Sequence, residues 1–235
     1  MNRTLALLDL RSLVRAEDLK PTTIILSASV LLTLHRYFGS IEAGSKLFAQ
    51  STGLGASIYM FATAFILLGI IPYALIRFVF HERLAAYGLQ LGLARTGATL
   101  TALLLPVIAI ALLYPASHTA EMQSFYPFAP EARTSAGAFL ALEVSRGVLF
   151  YTAWEFFFRG FMLFGLRPYV GDWMAVLIQV IPQCLWHIGM PTGEILSSIA
   201  GGVLFGVIAL RTRSILWPLL LHYGIGVVLD LFIVV

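Results

Sequence analysis

The chain has 235 residues, of which 59% are hydrophobic and 11% charged, with a formal net charge of +3 and a mean hydropathy of +0.89. Soluble domains carry about a quarter charged residues, so this balance excludes an ordinary water-soluble enzyme and belongs to lipid. The positive residues flank apolar runs and form no basic face, which excludes a nucleic-acid partner, and a lone cysteine, Cys184, excludes an intrachain disulfide.

Taken in order, residues 1–20 are mixed in charge, with Asp9, Glu17 and Asp18, and no signal-peptide cleavage site follows them. They are expected to be a cytoplasmic N-terminal segment. Residues 21–235 are then a single membrane domain. Its apolar segments lie at 21–39, 55–79, 97–115, 136–167, 172–190, 194–210 and 214–234. The expected fold is all-α, a polytopic transmembrane bundle of about seven helices, with six to eight as the range. The first segment is the weakest, because its apolar stretch from Ile24 to Leu34 runs straight into His35 and Arg36. It spans with help from snorkelling or lies partly in the interface. Pro72, Pro106, Pro182 and Pro218 fall inside segments, as lipid tolerates where neighbours satisfy the freed carbonyls. Ser198, Gly202 and Gly206 recur every fourth residue and suit close helix packing.

The connectors set the orientation. Arg3, Arg11, Arg15, Lys20, Arg77, Arg83, Arg95, Arg167, Arg211 and Arg213 fall on one side, against Arg36, Lys46 and Arg133 on the other. That bias predicts a cytoplasmic N-terminus and an external C-terminus, as in a multi-pass protein of a bacterial-type inner membrane. The longest outer connector, about 116–135, contains Pro127 and Pro130.

Ionisable groups at bilayer depth are costly and usually functional. Here they are Glu143, Arg146, Glu155, Arg159, His187, His222 and Asp230. At about 1.5 Å per residue, Arg159 and His222 lie roughly 12 Å from the cytoplasmic helix ends, Glu155 roughly 18 Å and His187 roughly 22 Å. All four fall in the middle of a hydrocarbon layer about 30 Å thick. Glu155 and Arg159, four residues apart, are spaced to pair, and so are Glu143 and Arg146, read here as a structural pair. Glu194, just after Pro191, fits a charge at a helix N-terminus. A carboxylate, a guanidinium and two imidazoles suit hydrolysis, with the carboxylate removing a proton from water and a histidine or arginine holding the oxyanion. Two histidines with a carboxylate also suit zinc, through Glu155, His187 and His222. The residues alone leave both routes open.

These residues resemble the motifs of the CPBP family of CAAX-protease and bacteriocin-processing membrane proteins. That family shows Glu-Glu-x-x-x-Arg, then Phe-x-x-x-His, then His-x-x-x-Asn or His-x-x-x-Asp on successive helices. The similar stretches here are Trp154-Glu155-Phe156-Phe157-Phe158-Arg159-Gly160, Gln183-Cys184-Leu185-Trp186-His187, and His222-Tyr223-Gly224-Ile225-Gly226 preceded by Leu216-Trp217-Pro218. The resemblance covers about 136–235. Each motif departs at one position: Trp154 replaces the first glutamate, Gln183 the phenylalanine, and Gly226 the final Asn or Asp.

The resemblance implies an intramembrane endopeptidase that cuts near a membrane-embedded or lipid-modified segment. Glu155 would activate water, Arg159 would position Glu155, and His187 and His222 would bind the scissile carbonyl or the water. Gln183 would orient His187, Asp230 would stand in for the missing polar residue, and Trp154 would wall the cavity. The expected partners are the lipid bilayer and a membrane peptide or lipid-modified protein; no cofactor is required. Nothing in the residues sets the oligomeric state. The rival reading is a catalytically silent relative that binds a peptide or membrane partner in an immunity or scaffold role. Trp154 is its support.

Overall fold

The computed structural model describes residues 15–47 and 53–235. Arg3, Asp9, Arg11 and most of the expected 1–20 segment lie outside the described residues. Nine helices of more than one turn run in order among them. They are α1 (Leu19–Phe38), α2 (Ile41–Leu47), α3 (Gly53–Val79), α4 (Ala94–Ser117), α5 (Ala120–Phe125), α6 (136–170), α7 (Asp172–Trp186), α8 (Thr192–Thr212) and α9 (Leu216–Val234). No strand occurs among the described residues, so the fold is an all-α polytopic bundle.

All seven expected segments are helical, but they do not qualify equally as spans. By length and composition, α3, α4, α8 and α9 can cross a membrane, and α1 with α2, bent by 49°, adds a fifth if the pair is one broken span. The long α6 is interrupted by Glu143, Arg146, Glu155 and Arg159, and α7 is only 15 residues long.

Helix α6 is the axis of the fold. Residues 153–166 are buried without a break, including Trp154, Phe157, Phe158, Phe161 and Leu163. A helix apolar on every side must be wrapped by others, and α1, α3, α7, α8 and α9 all pack on it. The run Phe156–Phe158 is therefore core. Two π-helical stretches, Arg146–Tyr151 and Phe156–Phe164, flank the short α-helical turn Thr152–Glu155, an irregularity common at functional sites.

Connectors then fix the outer helices on this axis. The segment 88–93 is laced to the α8–α9 turn: Ile215 N–H donates to Gly88 O, Leu93 N–H to Thr212 O, and Trp217 Nε1–H to Leu91 O at 3.0 Å. Gly92 has φ +60°, and a Cβ there would overlap the Thr212 carbonyl oxygen, so only glycine suits this crossing. The lacing sets the base of α9 and hence the position of His222. Helix α7 ends at Trp186, earlier than the expected 190, and the turn through Gly189 (φ +95°) and Pro191 leads into α8. His187 is the capping residue of α7.

Candidate active site

One cavity of about 40 Å³ lies beside α6, with room for a few water molecules. Four of its lining residues come from α6: Arg146, Phe150 and Trp154, spaced by about one helical turn on one face, and Tyr151 next to Phe150. Trp186, His187 and Met190 close it from α7 and the following turn, Glu194 from α8, His222 from α9, and Tyr126 and Phe128 from the connector after α5. Both motif histidines therefore face one space.

The two imidazoles are held alike. Nδ1 of His222 donates to Glu155 Oε1 at 2.6 Å, and Nδ1 of His187 donates to the backbone oxygen of Gln183 at 2.7 Å. A backbone carbonyl and a carboxylate can only accept, so a neutral ring beside either carries its hydrogen on Nδ1 and presents the lone pair of Nε2. Tyr151 and Phe205 lie against His222, with ring centroids at 4.5 and 5.0 Å, and Trp154 meets His187 edge to face at 5.8 Å. These contacts hold both rings in place.

Glu155 stands behind His222. It is fully buried, contributes nothing to the cavity wall, and pairs with Arg159 Nε at 3.2 Å. Arg159 is equally buried, and none of its three guanidinium nitrogens makes a hydrogen bond among the described residues. It lies over the Phe205 ring at 5.2 Å and the Phe158 ring at 5.9 Å, contacts that spread part of its charge over π faces. Arg159 and His222 both come within electrostatic reach of His187. The chain thus joins Arg159, Glu155 and His222 in one line that ends at the cavity.

The supporting residues fall elsewhere than expected. Asp230 pairs with Arg146 at 3.0 Å, not with His222; the two turns between 222 and 230 carry it about 12 Å along α9. Gln183 orients His187 through its backbone carbonyl, while its side-chain amide donates to Ser198 O at 3.1 Å. Trp154 lines the cavity, and its buried Nε1–H has no partner among the described residues. Glu143 and Arg146 form the expected pair at 2.7 Å, yet Arg146 also lines the cavity. No group of three or more His, Cys, Asp or Glu side chains among the described residues is placed to hold a metal ion.

Several cavity residues were not legible beforehand. Glu194 is not merely a charge at a helix start: its carboxyl lines the cavity and accepts from the Tyr126 hydroxyl at 2.7 and 2.8 Å. Tyr126 and Phe128 come from a connector whose sequence carries no periodic signal. His35 is buried, accepts from Trp186 Nε1–H at 3.3 Å and stacks on that ring, with its Nε2 3.2 Å from Met60 O. It supports the cavity wall from α1.

This is the arrangement of a helical membrane protein with an ionisable site sunk among its helices. Residues 139–228 match the family model described as Rce1-like, type II CAAX prenyl endopeptidase. No curated protein and no solved structure matches it.

Proposed function

We propose that the protein is an intramembrane endopeptidase that hydrolyses a peptide bond beside a lipid-modified or membrane-embedded segment. The observation that carries this reading is the pair of Nδ1-anchored imidazoles sharing one cavity, with the Glu155 carboxylate behind one of them. Water in the cavity gives a proton to Nε2 of His222 as its oxygen attacks the scissile carbonyl carbon. Glu155 stabilises the imidazolium that forms, as a buried carboxylate behind a histidine does. Glu155 thus activates water through His222, and Arg159 positions Glu155. His187 orients the water or the substrate carbonyl. The Trp154 Nε1–H, unpartnered among the described residues, supplies a donor on the same wall, suited to the carbonyl oxygen.

The family description suggests a prenylated peptide tail as substrate, and the positive-charge bias of the connectors supports a bacterial-type inner membrane with the N-terminus cytoplasmic. Reconstituted in proteoliposomes with a farnesylated fluorogenic peptide, the protein is expected to cleave, and Glu155→Gln to lower kcat by about 10²–10⁴. An unchanged rate in Glu155→Gln removes the mechanism. Trp154, at the position of the family's first glutamate, favours a second reading in which the cavity binds a peptide without cutting it. Saturable binding of the same peptide with no cleavage would select that reading.

A further inference from the structure

Peptide hydrolysis needs two proton transfers, and the line from Arg159 to His222 supplies one. The second must reach the nitrogen of the departing amine, which leaves a tetrahedral intermediate poorly as an anion. Among the described residues, Glu194 is the one carboxyl on the cavity wall. Its single hydrogen-bond donor among those residues is the Tyr126 hydroxyl, and no cation among them lies within ion-pair distance of it. The nearest positive side chain on the wall, Arg146, is engaged by Glu143 at 2.7 Å and Asp230 at 3.0 Å. On the same wall Phe128, Trp186 and Met190 are apolar or nearly so, and Tyr151 lies within electrostatic reach of Glu194.

We propose that Glu194 is a catalytic residue, the general acid that protonates the leaving amine; the proposal rests on the hydrolase reading above. The water oxygen bonds to the scissile carbonyl carbon and one water proton moves to His222 Nε2. The C–N bond then breaks while the Glu194 carboxyl gives its proton to that nitrogen. The products are a new carboxyl terminus and a neutral amine. The proton on His222 returns to the Glu194 carboxylate through cavity water, which resets both groups. Tyr126 positions Glu194, and because Tyr126 belongs to the connector after α5, a part of the chain outside the family match helps build the site.

The test compares Glu194→Gln with His222→Ala and wild type on two lipid-anchored peptides that differ only at the scissile bond, an amide and a thioester. A thiolate leaves without a proton, since a thiol ordinarily titrates at about 8.5. Glutamine keeps an acceptor for Tyr126 but has no proton to transfer. Expected is a fall of about 100-fold or more in the amide-to-thioester rate ratio of Glu194→Gln, with thioester cleavage persisting as the sign of an intact fold. His222→Ala loses both activities. An unchanged ratio in Glu194→Gln, whether both rates hold or fall together, overturns the proton-donor role and leaves the hydrolase reading standing. Wild-type protein that cleaves neither peptide overturns both.

Discussion

The ion pair at the centre of α6 makes the most quantitative demand on the structure. Arg159 and Glu155 are fully buried and 3.2 Å apart. At an effective dielectric of about 20, two unit charges at that separation attract by about 5 kcal/mol. Removing one partner leaves the other charge buried without its counterpart, at a cost of about 3–5 kcal/mol. Arg159 is the more exposed to this loss, since Glu155 still accepts from His222 while Arg159 retains only the faces of Phe158 and Phe205. Glu155→Gln and Arg159→Met are therefore each expected to destabilise strongly. The double variant removes both charges and should recover much of that, giving a coupling of about 2–3 kcal/mol. Denaturant unfolding in bicelles of wild type, the two single variants and the double variant measures all four corners. Additive effects, agreeing within about 0.5 kcal/mol, would refute the pairing and with it the line of groups leading to the cavity.

Two further outcomes follow from packing and from a loop charge. A Cβ on Gly226 would overlap the Tyr151 hydroxyl, whereas one on Gly193 meets nothing within 4 Å. Gly226→Ala should lower stability by about 1–3 kcal/mol and Gly193→Ala should not, as thermal melts in detergent would read directly. Outside the spans, burial opposes the Glu82 charge, but the Lys20 ammonium at 2.7 Å and the Tyr87 hydroxyl at 2.6 Å outweigh it. The Glu82 carboxyl is thereby held below its ordinary value of 4.5. A lowered folded-state value contributes stability that is present above about pH 4.5 and fades as pH falls through the folded value. Wild type should thus out-melt Glu82→Gln at pH 7 and converge on it near pH 3; a constant difference would count against the contact.

How much of this was readable from the residues depends on how far apart the partners lie in sequence. The Glu155–Arg159 and Glu143–Arg146 pairs are one turn apart on one helix, so helical spacing alone announces them. His187 and His222 were marked by charge-like residues at bilayer depth, and their convergence needed only helices that pack on a common neighbour. What spacing could not show is the side of His222 on which Glu155 stands. The cavity lies on the face of α6 that carries Arg146, Phe150 and Trp154, and Glu155 is turned off that face by one residue's rotation of about 100°. Asp230 looked close to His222 along the chain, yet two turns of helix take it to Arg146. Glu194 and Tyr126 are 68 positions apart, and their hydrogen bond depends on how a proline-bearing connector folds back over α8. No pattern of hydrophobicity encodes that return.

The central claim is that His187 and His222 act on one substrate in one cavity. The most direct measurement is cleavage of a farnesylated peptide by purified protein in proteoliposomes made in H₂¹⁸O, followed by mass spectrometry, for wild type, His187→Ala and His222→Ala. The account predicts one ¹⁸O in the new carboxyl terminus with wild type and a loss of about 100-fold or more in each variant. Uncut peptide with wild type, or undiminished ¹⁸O incorporation in both variants, would contradict it.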